Sequence, residues 1–261
     1  MRSFIKTPYL IIALLVSSIG YIVSCTHEND ALVNTTPKAT RGTEVLLPGN
    51  MTAGNPNEWK LDKVHSNVQW STQYMNAAGL LTGRFNQFGM ANVSNDLAIN
   101  YNTTGQPLKD NSWAFYESDP TKTFLDGYVQ LNTFNTGEPG RDAGCALTSL
   151  GTTAIVAGVQ NLTPANLAKI HSTKVELDPT SNDYIVTLDL TWKGGLAAPA
   201  TKQIVGKLHF SPVGTVTSGT NSYKVFGLQL QFSFNCRDFG VTSTSIADKI
   251  DLVCNMNFNN K

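Results

Sequence analysis

From Trp59 onward the chain alternates apolar and polar residues with a period of two. Tyr184, Val186, Leu188, Leu190 and Trp192 fall on one face of a segment that turns Thr187, Asp189 and Thr191 the other way. Phe226, Leu228, Leu230, Phe232 and Phe234 alternate with Gly227, Gln229, Gln231, Ser233 and Asn235, and Ile250, Leu252, Cys254, Met256 and Phe258 repeat the pattern. Shorter stretches follow the same rule. Val68 and Trp70 alternate with Asn67, Gln69 and Ser71, while Leu81, Gly83 and Phe85 share a face, as do Val129 and Leu131 within the β-rich run Tyr128 to Phe134. Such alternation predicts antiparallel strands with one face turned inward. One helix is expected near 164–171, with Thr163 as N-cap and Pro164 at the first position. Several long strands and almost no helix predict an all-β domain, a closed barrel or a sandwich, with about eight strands.

Composition supports that class. Charged residues make up 15% of the 261, against about 25% in an average soluble domain. The chain instead carries 29 Thr and 24 Asn, which favour strands and turns respectively. At 41% hydrophobic it can build a substantial core. Its 19 basic residues balance its 19 acidic ones, so it lacks the basic footprint a nucleic-acid binder needs. No repeat of about 20–50 residues is visible, which excludes solenoids and propellers.

The first residues read as an export signal. Arg2 and Lys6 precede the apolar stretch Tyr9 to Val16, which continues with small interruptions to Val23. That is too short for a membrane span of about 20 residues and suits the apolar region of a signal peptide. The stretch ends in Ile22-Val23-Ser24-Cys25, which resembles a bacterial lipobox. The resemblance implies cleavage before Cys25 and its acylation, giving an exported, membrane-anchored lipoprotein. Thr26 rather than Asp follows the cysteine, which favours the outer membrane. Two or more acyl chains hold a protein stably where one is marginal. Residues 1–24 contain two basic residues and no acid, so the mature chain has 17 basic and 19 acidic residues, a balance of −2. Anionic lipid would not attract it, and the anchor must do so. Residues 25–57, with Pro37, Pro48 and Pro56 and no sustained periodicity, read as a flexible tether of about 30 Å r.m.s. reach. Its apolar triplet Val45-Leu46-Leu47 is the one place that invites docking on the domain, which is expected over 58–261.

Four motifs occur in a recognisable order. Trp59 to Trp70 holds an aromatic, the pair Leu61-Asp62, then His65-Ser66, Val68 and Trp70. Gly83-Arg84-Phe85 with Phe88, then Arg141-Asp142 with Leu147, then Arg237-Asp238-Phe239-Gly240-Val241 follow. Together they resemble the YceI family over about residues 58–258. The resemblance implies a lipocalin-like antiparallel β-barrel whose apolar cavity takes a polyisoprenoid-like lipid, such as an isoprenoid quinone or polyprenyl derivative, in the periplasm. The chain departs from the family in three places. Arg141-Asp142 and Leu147 are spaced two residues wider, Asn95 to Asp126 is an insertion, and Gly151 to Gly158 replaces a Phe-Phe pair.

The inward candidates for lining such a cavity are Val68, Trp70, Phe85, Phe226, Leu228, Leu230, Phe232 and Phe234, with Gly83 and Gly206 leaving room among them. These faces either line a prenyl-sized tunnel or fill the barrel. Asp62, His65, Ser66 and Arg237 either hold a ligand head group or tie the structure together, and the structural role is the more usual one. If the barrel is filled, the chain reads as a surface interaction lipoprotein that binds glycan or protein through the insertion. Trp113, Phe115 and Tyr116 would then form a stacking platform, unless they pack onto the barrel. No catalytic constellation is visible: Gly-x-Ser-x-Gly is absent, and Asp238-Phe239-Gly240 lacks the other elements of a kinase. His27, His65, His171 and His209 lack metal-ligand spacing, so neither a metal nor a cofactor beyond a bound isoprenoid lipid is expected. An unbulged hairpin between the last two strands would place Cys236 opposite Cys254, and export to an oxidising compartment would permit a disulfide.

Overall fold

The computed structural model describes residues 44–45, 59–75, 79–90, 113–117, 119–152, 163 and 165–261. The chain divides into units 1–38 and 39–261, and all described residues belong to the second. Cys25 and the expected signal peptide therefore lie outside the described residues.

In chain order the strands are β1 (Glu44–Val45), β2 (Lys60–Leu61), β3 (Asn67–Gln73), β4 (Leu80–Phe85), β5 (Phe88–Gly89), β6 (Trp113–Tyr116), β7 (Phe124–Gln130), β8 (Phe134–Asn135), β9 (Leu167–Leu177), β10 (Tyr184–Trp192), β11 (Ala200–Ser218), β12 (Asn221–Asn235) and β13 (Lys249–Asn259). Two short helices, α1 (Pro139–Asp142) and α2 (Cys145–Leu150), follow β8. All pairings are antiparallel, and from β9 to β13 each strand pairs with the next, as hairpin connection dictates. β13 then pairs with β3, and β3 with β4.

The ring closes through two broken strands. β4 runs into β5 past Asn86-Gln87, and β7 runs into β8 through a 3₁₀ turn at Leu131–Thr133. Phe85 pairs with Phe134, and Phe88 with Val129. Thr133 spans the break: its carbonyl accepts from the Asn86 N–H at 3.0 Å and its hydroxyl from the Gln87 N–H at 2.9 Å. β7 then pairs with β9. Counting each broken pair as one stave, eight staves form the barrel, a size whose interior holds either packed side chains or one small ligand.

The expected inward faces are the buried ones: every second residue from Tyr184 to Trp192, from Phe226 to Phe232 and from Leu252 to Phe258 belongs to the core. The expected helix near 164–171 is not formed. Leu167–Leu177 is β9, bonded to β7 on one side and β10 on the other. Thr163-Pro164 carries the local mark of a helix start, but two open sheet edges offer this backbone more partners than a short helix would. The helices lie instead at 139–150, where Pro139 occupies the first turn of α1 and Glu138 accepts from the Gly140 N–H at 3.0 Å. Within 25–57, Glu44 and Val45 pair with Tyr116 and Phe115. The insertion supplies β6, which pairs with the start of β7.

Candidate functional site

One end of the barrel is packed with aromatic rings. Phe226 of β12 and Phe258 of β13 are register partners and stack with centroids 4.6 Å apart. Trp113 of β6 lies 4.3 Å from Phe258, and Trp59 meets Phe226 edge-on at 4.8 Å. Phe115 packs on Phe210 at 4.5 Å and on Tyr184 at 5.3 Å. Trp113 is 1% exposed and Phe115 fully buried, so neither offers a face for stacking sugars. That removes the expected platform and leaves Tyr116, over whose ring Lys122 sits. Phe226 and Leu228 belong to this packed end and do not line the cavity described below.

Asp62, His65 and Ser66 tie the same end shut. Asp62 accepts from the His65 ring at 2.8 Å and from the Asn259 amide at 3.0 Å. The Ser66 hydroxyl donates to the Asp62 carbonyl at 2.7 Å and accepts from the Asn257 N–H at 2.9 Å. Burial pushes the Asp62 carboxyl up, but the bonds from His65 and Asn259 outweigh it and hold the group below its usual 3.8. His65 is largely exposed, and none of the three reaches the cavity. Their geometry is that of a structural knot between the start of the domain and the end of β13.

Beyond the packed end the lumen is open. A cavity of about 680 Å³ runs inside the barrel, within the usual range of about 300–1,000 Å³ for small-molecule sites. Val68, Trp70, Phe85, Leu230, Phe232 and Phe234 line it, joined by Leu131, Leu190, Trp192, Ile250, Leu252, Cys254 and Met256. Gly83 does not leave the free space expected of it. Its missing side chain is replaced by the Trp70 indole, which a Cβ at Gly83 would meet at 2.6 Å. Gly206 serves the close approach of β12, since a Cβ there would stand 2.8 Å from the Gln231 carbonyl.

The mouth is assembled from loops that periodicity does not reveal. Arg237 lies beside the cavity rather than in it. Its guanidinium donates to the carbonyls of Val241 and Ser243, both at 2.9 Å, and of Ile246 at 2.8 Å, and it pairs with Asp248 at 2.8 Å. The loop held in this way supplies Val241, Ser243, Ser245 and Ile246 to the lining. Opposite it, α1 contributes Gly140 and Arg141, and α2 contributes Ser149 and Leu150. Gly151, Gly194 and Gly240, all at positive φ, let α2, the β10–β11 turn and the end of β12 touch backbone to backbone. Tyr74, Met75 and Leu80 are exposed where β3 turns into β4 beside this mouth. Arg141 was visible in the sequence as part of the Arg-Asp motif, without a sign that it faces the cavity.

Cys236 and Cys254 are both free thiols, which corrects the expected disulfide. The ladder pairs Cys254 with Leu230 and ends at Asn235 opposite Lys249, so the connection is offset from the symmetric hairpin that the pairing requires. Cys236 turns off into a 3₁₀ turn, and its N–H donates to the Asp248 carbonyl. Burial pushes the Cys254 thiol up to about 12. Three histidines face single aspartates: His65 with Asp62, His171 with Asp126 at 2.7 Å and His209 with Asp183 at 2.6 Å. Among the described residues no cluster of three metal-ligating side chains occurs, and no helix is long and apolar enough to cross a membrane.

Comparison with known proteins follows the same outline. Residues 59–258 match the model of the YceI-like domain. The solved structures similar to this chain include Burkholderia cenocepacia BcnA, at 14% identity over 76% of this chain and 99% of that one, with a TM-score of 0.42. The Campylobacter jejuni YceI protein is 19% identical over 78% and 98%, with a TM-score of 0.44. A polyisoprenoid-binding domain from Saccharophagus degradans, implicated in plant cell wall breakdown, is 13% identical over 77% and 97%, with a TM-score of 0.43. No curated protein matches the chain. The family match extends over most of the chain and over every stave of the barrel: the protein belongs to the YceI family.

Proposed function

We propose that this protein binds or carries a polyisoprenoid-like lipid in its barrel and does not transform it. The observation that carries the reading is the apolar cavity, packed shut at one end and open at the other. Burying each CH₂ contributes about 0.8 kcal/mol, so a ten-carbon stretch contributes about 8 kcal/mol before ordering costs. Tyr74, Met75 and Leu80 beside the mouth give an apolar chain a path from a bilayer into the lumen. Cys25 is proposed as the lipidated residue that keeps the exported domain at a membrane, with the outer membrane favoured.

Native mass spectrometry of gently purified protein tests the cargo. A copurified polyprenyl or quinone mass is expected, and delipidated protein should bind such a lipid saturably. Ile250→Trp, which fills the lumen from a half-buried wall position, should abolish retention at a folding cost of about 1–3 kcal/mol. Failure of the delipidated wild type to bind any isoprenoid quinone, polyprenol or polyprenyl phosphate would overturn the reading. For the anchor, Cys25→Ala should move the protein out of the membrane fraction, and unchanged partition would contradict lipidation.

A further inference from the structure

The exposed apolar side chains of this molecule are not evenly spread. Among the described residues six large hydrophobic side chains stand in solvent, and three of them share the turn from β3 to β4: Tyr74 at 42%, Met75 at 55% and Leu80 at 67% exposed. The other three are scattered. Val64 lies at the closed end, and Ile185 and Val205 face outward from β10 and β11 opposite Lys207 and Thr187. Single exposed apolar residues are ordinary on any surface, whereas a cluster of them marks a contact site.

The turn is held outward against local preference. Met75 has a left-handed backbone, with φ at 50°, a conformation that suits Gly or Asn and that a residue with a Cβ adopts at a loss. Its N–H donates to the Ser245 carbonyl at 3.2 Å, the Tyr74 N–H donates to the Gly79 carbonyl at 3.0 Å, and Tyr74 bridges to Ile246. The turn is thereby fixed to the 241–248 loop while its apolar side chains stay in solvent. Local rules are broken in this way mainly where function requires it.

Charge singles out the partner. No Lys, Arg, Asp or Glu occurs from Ser66 to Gly83, nor from Phe239 to Ala247, and the adjoining Asp248 is paired with Arg237. The two loops that meet here therefore present an uncharged rim, and Tyr74 both stands in solvent and lines the cavity. A charged protein surface would find nothing to complement. A bilayer would: Met and Leu side chains gain by entering hydrocarbon, and a Tyr ring suits the level of the head groups. We propose that Tyr74, Met75 and Leu80 dock the open end of the barrel on the surface of a zwitterionic lipid bilayer, so that the mouth faces lipid rather than water. The proposal rests on the lipid-carrier reading above for its purpose, the passage of cargo between bilayer and lumen, and its first test needs no cargo.

The test adds phosphatidylcholine vesicles to the delipidated full chain and follows hydrogen exchange peptide by peptide. Exchange over 71–82 should slow, and exchange around Ile185 and Val205 should not change. Met75→Asp combined with Leu80→Asp should abolish the protection. Met75→Gly suits the left-handed backbone, so it should fold at least as stably as the wild type and still lower the protection factor about tenfold, the scale of one apolar side chain withdrawn from hydrocarbon. That variant separates loss of the surface from loss of the fold. Uptake of a polyprenol from vesicles should slow by the same factor, with the affinity for detergent-dispersed polyprenol unchanged. A wild-type turn that exchanges equally fast with and without vesicles overturns the proposal and leaves the lipid cavity standing. Protection that needs anionic lipid and disappears as salt is raised also overturns it, since that marks adsorption by charge. Equal protection around Ile185 and Val205 has the same consequence, because it marks adsorption without a preferred face. A protected turn on a protein that binds no isoprenoid lipid keeps the docking surface and removes the carrier reading.

Discussion

The two ends of this barrel are built from the same kinds of residue and do opposite things. At the closed end Phe226 and Phe258 stack, and Trp59 and Trp113 complete the packing between them. At the open end Trp192, Phe234 and Phe239 also meet, at 5.3–5.9 Å, yet among the described residues Trp192 and Phe234 line a cavity rather than a plug. The strands contribute similarly to both ends. What differs is what arrives from outside the ring: β6, brought by the insertion, delivers Trp113 and Phe115 into one end, whereas α1, α2 and the 241–248 loop only frame the other. Aromatic strand faces thus permit a cavity or a plug, and the connecting segments decide which.

Truncation at the two ends gives the largest contrast. Trp113→Ala should cost about 3–5 kcal/mol, the range for a fully buried aromatic, read as a fall in the denaturant midpoint. Phe234→Ala, at a half-buried ring facing existing space, should cost well under half as much. Equal losses would mean that the open end is packed as tightly as the closed one.

Next in size, Arg237→Met should cost about 1–3 kcal/mol by leaving three loop carbonyls without their donor. Hydrogen exchange should rise across 241–248 and stay unchanged around Trp113. Exchange that rises at both ends would show that the mouth and the plug are one cooperative unit rather than two.

A smaller effect is the acid response of the closed end. Burial pushes the carboxyls of Asp62 and Asp183 up, but the bonds to His65 and Asn259 in one case, and to Lys207 and His209 in the other, hold both below 3.8. A carboxylate with a lowered folded pKa contributes stability that is fully present above the unfolded value and is lost as pH falls through the folded one. Acid below about pH 3.8 should therefore loosen the closed end, and Asp62→Asn should flatten that limb of the stability curve. Denaturant midpoints measured across this range that remain parallel for wild type and variant would refute it.

The smallest effect is chemical. Cys254 faces the cavity with its thiol raised to about 12, and only thiolates react readily. Alkylation at pH 8 should leave both Cys254 and the buried Cys236 unlabelled until the protein is unfolded, after which both should label without reductant. A mapped Cys236–Cys254 bridge would contradict the register.

The alternation of Tyr184 to Trp192, Phe226 to Phe234 and Ile250 to Phe258 determined which faces turn inward, because a strand's side-chain period of two is a property of the backbone and needs no partner to be read. The ordered motifs from Trp59 to Val241 carried the family in the same way. Local signals were misleading where distant edges compete. Thr163-Pro164 marks a helix start, yet the segment after it is claimed by β7 and β10. Cys236 and Cys254 share an inward parity, yet the register along the hairpin depends on where the turn forms, and parity is blind to that. The cavity was legible only as a set of possible walls: six of the eight expected lining residues do line it, while Phe226 and Leu228 fall within the plug. Which residues meet the lumen depends on how deeply β6 and Trp59 reach into the barrel. Whether Arg141 reaches the lumen depends on where α1 comes to rest, and these are properties of the assembled tertiary structure, set by contacts between segments far apart in the chain.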